Sequence, residues 1–191
     1  MITRWKLPAL LVLAAGLGAC STYAPVKLDE KTGQYATSTQ LDPGATRVWE
    51  TGVNPKEFKL VLLATQTNVY PLRFEFFARS ALFDLGLKRV LNVGEMAALL
   101  EDKGLGDKVD PESIRKLSNS GLPVLVVDMR STWDGDVRRY VTLKAIDGRN
   151  GKTLLSLDHP KLIWMDVDPE AHLPVFNALR NWYQTSSGNK T

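Results

Sequence analysis

The chain has 191 residues, 44% hydrophobic and 24% charged, with a formal net charge of +3. That apolar fraction suffices for one packed domain, and a charge this close to zero argues against nucleic acid as a partner. A single cysteine rules out an internal disulfide, so stability must come from burial of apolar surface.

The amino terminus is short and basic, with Arg4 and Lys6, and an apolar run from Leu7 to Leu17 follows. It closes in Leu17-Gly18-Ala19-Cys20, and this order of basic, apolar and small residues is that of a secretory signal peptide. At 1.5 Å per residue the run covers only about 17 Å, roughly half a hydrocarbon core, so it is not read as a membrane-spanning helix. The four residues ending in Cys20 resemble the lipobox of bacterial lipoproteins. In that family the cysteine is acylated, palmitate being a typical chain, and becomes the mature amino terminus. The resemblance implies a signal peptide at 1–19 and membrane attachment through lipid on Cys20. The alternative is an ordinary cysteine behind a soluble-type cleavage site. Ser21 stands where an aspartate holds enterobacterial lipoproteins at the inner membrane, so by resemblance it points to the periplasmic face of the outer membrane. Cleavage would remove Arg4 and Lys6 and no acid, leaving 22 basic against 21 acidic residues, a balance of +1.

Residues 20–57 read as lipidated terminus and tether: polar, without apolar periodicity, punctuated by Pro43-Gly44 and Asn54-Pro55. Val48 and Trp49 are candidates to dock on the domain. Phe58 to Ala64 is apolar and reads as a buried strand. A helix is predicted over about 70–86, where Phe74, Phe77, Ala78, Ala81, Leu82 and Leu85 form one stripe. Gly86 suits its C-terminal stop. Phe76 and Phe83, seven apart on a neighbouring face, either widen the core contact or form an exposed partner site. Leu87 to Leu91 is a short strand, and Glu95 to Asp102 a short helix. A second short helix has Asp110 as N-cap, Pro111 in its first turn and Gly121 as stop. Three strands follow, at about 123–133, 136–147 and 152–164. Asp134-Gly135 and the Asp147–Gly151 stretch join them as hairpin turns. The final helix runs to about Tyr183, with Val175, Leu179 and Trp182 on one stripe; Asp168-Pro169-Glu170 offers one start, and Pro174, which belongs in a first turn, offers another nearer Leu173. Residues 186–191 are a polar tail. The order β-α-β-α-α-β-β-β-α over 58–185 predicts one α/β (α+β) domain, a mixed sheet of four to five strands with packed helices.

No motif carries catalysis. Gly151-Lys152-Thr153 imitates part of a phosphate-binding loop, but Ile146 stands where the first glycine is needed, and the segment reads as a hairpin. Asp166 and Asp168 have no third ligand nearby, and Asp168 suits a helix start. His159 and His172 lack partners at zinc spacing and read as polar surface. An acylated Cys20 leaves no thiol nucleophile. Arg130, Arg138 and Arg139 flank the first hairpin with Trp133 near its tip, which is hot-spot chemistry for a protein partner or simply a solvated face. Trp133, Arg138 and Arg139 are the candidate partner-binding residues. No metal and no cofactor are expected, and the oligomeric state is left open.

With its lipobox, tether and element order, the chain resembles the anticodon-binding-like periplasmic domains. Members include the curli-secretion lipoprotein, the amino-terminal domain of the Tol translocation protein, and lipoprotein activators of penicillin-binding proteins. The residues that carry the likeness are Phe58–Ala64, Phe74–Gly86 running into Leu87-Lys88-Arg89-Val90, Val124–Asp128, Val141–Asp147 and Gly151–Leu155. The resemblance implies a non-enzymatic module that binds another envelope protein in assembly or secretion. The second expectation is a lipid or glycan carrier, with a pocket between helix and sheet lined by Phe74, Phe77 and Trp164.

Overall fold

The computed structural model describes residues 27–37, 40–49, 52–67, 71–134, 138–162 and 172–186. Cys20, Trp164, Asp166 and Asp168 lie outside them. The elements are β1 (Thr46–Val48), β2 (Leu60–Thr67), α1 (Pro71–Asp84), β3 (Val90–Leu91), α2 (Val93–Asp102), α3 (Pro111–Asn119), β4 (Val124–Asp134), β5 (Arg138–Asp147), β6 (Thr153–Leu162) and α4 (Leu173–Thr185). They build an α/β domain around one mixed sheet ordered β1-β6-β5-β4-β2-β3. β3 and β4 run parallel to β2, and β4, β5, β6 and β1 form successive antiparallel pairs.

Among the described residues the sheet has six strands where four to five were expected. The extra one is β1, inside the stretch read as a tether. It pairs Thr46 with Leu157 and Val48 with Leu155, and the Trp49 amide donates to the Leu154 carbonyl at 3.0 Å. All three β1 side chains are exposed, so the strand is held by main-chain bonds and shows no apolar alternation. Trp49 itself is 60% exposed. β3 is correspondingly shorter than the strand expected over 87–91.

Register divides the sheet into two unlike faces. One row runs Leu63–Val127–Ala145–Leu155 and the next Thr65–Met129–Leu143–Leu157. Their apolar members are buried beneath α1, through Phe74, Ala78, Ala81 and Leu82, and α4, through Val175, Phe176, Leu179 and Trp182. On the other face α2 and α3 cover only the β3-β2-β4 end, where Met96, Leu100, Ile114 and Leu117 close over Leu60, Leu62 and Val124. β2 is buried on both faces from Leu60 to Leu63, which explains its continuous apolar run.

Local chemistry sets the ends of these helices. Asn92 and Glu95 form a reciprocal capping box at α2. Asp110 Oδ1 accepts from the Ser113 amide at 2.8 Å, as expected for the start of α3. The β5–β6 turn is a hairpin: Gly151 has φ +74 and its amide donates to the Asp147 carbonyl at 2.7 Å. Gly148 is fixed by space. A Cβ there would lie 2.7 Å from both the Ser118 hydroxyl and the Val124 carbonyl, and 2.9 Å from Ile114.

The start of the described chain also docks. Asp29 Oδ1 accepts from the Lys31 and Thr32 amides, turning the chain so that Leu28 pairs with Tyr35. Asn177 of α4 then reads the Tyr35 main chain like a strand. Its Oδ1 accepts from the Tyr35 amide at 2.8 Å and its Nδ2 donates to the carbonyl at 2.9 Å. The buried Tyr35 hydroxyl donates to Asp84 Oδ2 at 2.9 Å, and its ring meets Phe176 edge-on.

Two outcomes follow. Gly148→Ala should lower stability by about 1–3 kcal/mol, because rigid backbone blocks the added methyl; the urea midpoint measures this. Burial, followed by the bond to Asp84, raises the Tyr35 phenol well above its ordinary range. The folded form thus favours the proton, so the contribution is complete below about pH 10 and is lost as pH rises further. Between about pH 9 and 11 the unfolding midpoint of the natural chain should fall more than that of Tyr35→Phe. Parallel curves would contradict this assignment.

Candidate functional site

The half-covered sheet face leaves a cleft of about 850 Å³. Its floor is apolar: Leu62 and Ala64 from β2, Val126 from β4 and Ile146 from β5. Leu62, Val126 and Ile146 form one cross-strand row. The start of α3 makes one wall with Asp110, Glu112, Ile114 and Arg115, and the β5–β6 turn makes another with Gly148, Asn150 and Gly151. The floor grows polar toward the hairpin end, where Gln66 lies beside Arg130 and Asp128 beside Lys144.

The carboxylates lining the cleft are engaged in structure. Asp128 receives Arg130 through Nε at 3.3 Å and Nη2 at 2.9 Å. The buried Asp147 is gripped by Arg149, with Nη2 at 2.7 Å, and the Arg149 guanidinium also sits 5.1 Å over the Phe58 ring. Glu112 pairs with Lys116 at 2.8 Å, a bond that holds its carboxyl below the usual range. The Ser113 amide does the same for Asp110. A general acid at neutral pH needs the opposite shift. Among the described residues no three His, Cys, Asp or Glu side chains group to hold a metal.

The candidate residues of the β4–β5 hairpin fall at one end of this sheet. Trp133 and Arg139 are cross-strand partners, and Arg138 pairs with Asp134. Cys20 lies outside the described residues. The pocket expected between helix and sheet is filled where it is described. Phe74 is buried with its ring 5.3 Å from the His172 imidazole, and Phe77 sits 5.5 Å from both His172 and Phe176.

His159 and His172 are corrections: both are buried, at 5% and 4% exposure, where surface positions were expected. His172 Nε2 lies 3.3 Å from the hydroxyl of the buried Ser131. Sequence spacing missed this cluster because its members sit 41 positions apart and meet only once β4 and the start of α4 come together. The cleft left a signal, since Val126, Asp128 and Arg130 alternate with the buried Leu125, Val127 and Met129.

No protein-family model matches the chain, and no curated protein matches it. Among solved structures it is similar to the LpoB C-terminal domain from Salmonella enterica, at 15% identity and TM-score 0.41, over 56% of this chain and 84% of that one. It is similar to the PelC dodecamer from Paraburkholderia phytofirmans at 15% identity and TM-score 0.39, over 76% and 99% of the two chains. The lipoprotein GNA1162 from Neisseria meningitidis shares 12% identity at TM-score 0.37, over 70% and 99%.

Proposed function

We propose that this protein is a lipid-anchored module of the cell envelope, exported, acylated at Cys20 and held at the periplasmic face of the outer membrane. There it binds an envelope protein in assembly or secretion and performs no chemistry of its own. The observation that carries the binding role is the half-open sheet: an apolar floor ringed by carboxylates that are already engaged. Such a surface offers desolvation and shape to a partner. The Trp133, Arg138 and Arg139 hairpin extends the same sheet and supplies the residue types that dominate protein interfaces. The anchor rests on the basic, apolar and small-residue order ending at Cys20. Each acyl methylene contributes about 0.8 kcal/mol of membrane affinity, so two or more chains make release slow. Anchoring also raises the local concentration at which the module meets its partner.

The cleft volume favours a second reading, a small lipid or glycan carrier, because about 850 Å³ falls within the range of small-molecule pockets. Native mass spectrometry of the purified protein separates the two readings, since a carrier brings a bound small molecule with it.

Replacing Cys20 by serine should leave the precursor unprocessed at this site and free of fatty acid, as read by intact mass. Efficient maturation and outer-membrane recovery of that variant would remove the anchor. In a second experiment, alanine at Trp133, Arg138 and Arg139 together should weaken partner recovery from intact cells at least about tenfold, the effect of losing one hot spot. Unchanged recovery and a normal envelope phenotype would exclude the hairpin from the interface.

A further inference from the structure

The outer side of α1 has large apolar residues that the domain leaves uncovered. Phe76 is 75% exposed and Phe83 45% exposed, and their seven-residue spacing puts them on one stripe. Arg79 lies between them. Its guanidinium sits 5.7 Å from the Phe83 ring centroid and pairs with Glu95 of α2 at 3.0 Å. Neither phenylalanine belongs to the two buried clusters of the domain.

The start of the described chain decides what meets this stripe. Leu28 is bridged to Tyr35, and the Tyr35 hydroxyl is bonded to Asp84, the neighbour of Phe83. The main chain of this segment lies along α4, against Asn177 and Asn181, and the Tyr35 side chain reaches across to the C-terminal end of α1. Seven residue steps separate Cys20 from Lys27, and even a fully extended chain covers only about 25 Å in that distance. A tether reaching to residue 57 would have allowed several times as much. An acyl group on Cys20 thus keeps the side of the domain built by α4 and α1 close to the bilayer.

We infer that the outer face of α1 rests on the membrane surface, with Phe76 and Phe83 entering the lipid headgroup region. This rests on the proposed acylation of Cys20. Aromatic side chains on one face of a helix suit that boundary, where an apolar face sinks about 5–10 Å. A lipid surface fits better than a second copy because the docked chain start brings the bilayer to the side of the domain on which α1 and α4 lie, in every copy. α1 packs on the closed face of the sheet, so the cleft opens on the side away from the membrane, toward the periplasm. The anchor then both holds the module and aims it.

The test uses the full mature acylated chain in vesicles of phosphatidylethanolamine and phosphatidylglycerol. With Cys20 blocked by its acyl group, Phe76→Cys, Phe83→Cys and Lys144→Cys each offer one thiol for a nitrobenzoxadiazole label. A lipid carrying a headgroup nitroxide should quench the label at positions 76 and 83 at least about twofold more than at 144, which lies on the open face. Equal quenching at all three positions, on protein that floats with the vesicles, would overturn the membrane contact and leave the anchor standing. Labels at 76 and 83 shielded from both the nitroxide and aqueous iodide would also overturn it, in favour of a second copy. Protein that neither floats nor carries acyl mass would overturn the anchor, and this inference with it.

Discussion

Unequal covering of one sheet governs this molecule. α1 and α4, of fourteen and thirteen residues, seal one face from β2 across to β6. α2 and α3, of ten and nine residues, reach only the β3-β2-β4 end of the other. The difference is written in the strands. β2 is apolar on both sides near its start, whereas β4 and β5 present Asp128, Arg130, Thr142 and Lys144 on the side that none of the described helices reaches. A face that alternates this way can remain in water without loss of the fold. The cleft is the boundary between the covered and uncovered halves, which explains its apolar floor and its charged rim.

The same asymmetry gives meaning to the docked chain start. Tyr35 closes over the sealed side, joined to α4 through both main-chain bonds of Asn177 and to α1 through Asp84. Without those contacts the domain would trail on a tether of nearly forty residues. With them, the path from the proposed anchor at Cys20 is short and starts from the sealed side of the sheet. The charged side chains of the cleft add order to its walls. Arg149 on Asp147 fixes the β5–β6 turn, and Asp110 starts α3. Paired charges of this kind give a surface shape and specificity more than reactivity.

Much of this architecture was legible in the chain. The stripe from Phe74 to Leu85, the Asp110-Pro111 start and the Asp147–Gly151 turn each report a local rule, and the elements formed there. α4 begins at Leu173, the later of the two starts that Asp168 and Pro174 offered. β1 was illegible because main-chain pairing alone holds it, so its side chains follow no pattern. Tyr35 was illegible for a different reason: its partners lie 49 and 142 positions away, and polar sequence around a buried aromatic looks like a linker. The capping box of Asn92 and Glu95 follows a known spacing and was there to be read. The burial of His159 and His172 was not, since it depends on how α4 returns to the sheet. Alternating polarity in β4 and β5 announced a solvated face, but only the lengths of α2 and α3 in place show where the cleft lies.

Everything above converges on the open half of the sheet as the proposed seat of a protein partner. Site-specific photo-crosslinking in intact cells tests it most directly, with a benzoylphenylalanine placed in the full acylated chain at Arg115 or Asn150 on the cleft rim, or at Lys103 outside it. The account predicts the same discrete envelope-protein adduct from both rim positions and none from Lys103. Rim positions that yield no protein adduct, while Lys103 does, would contradict it.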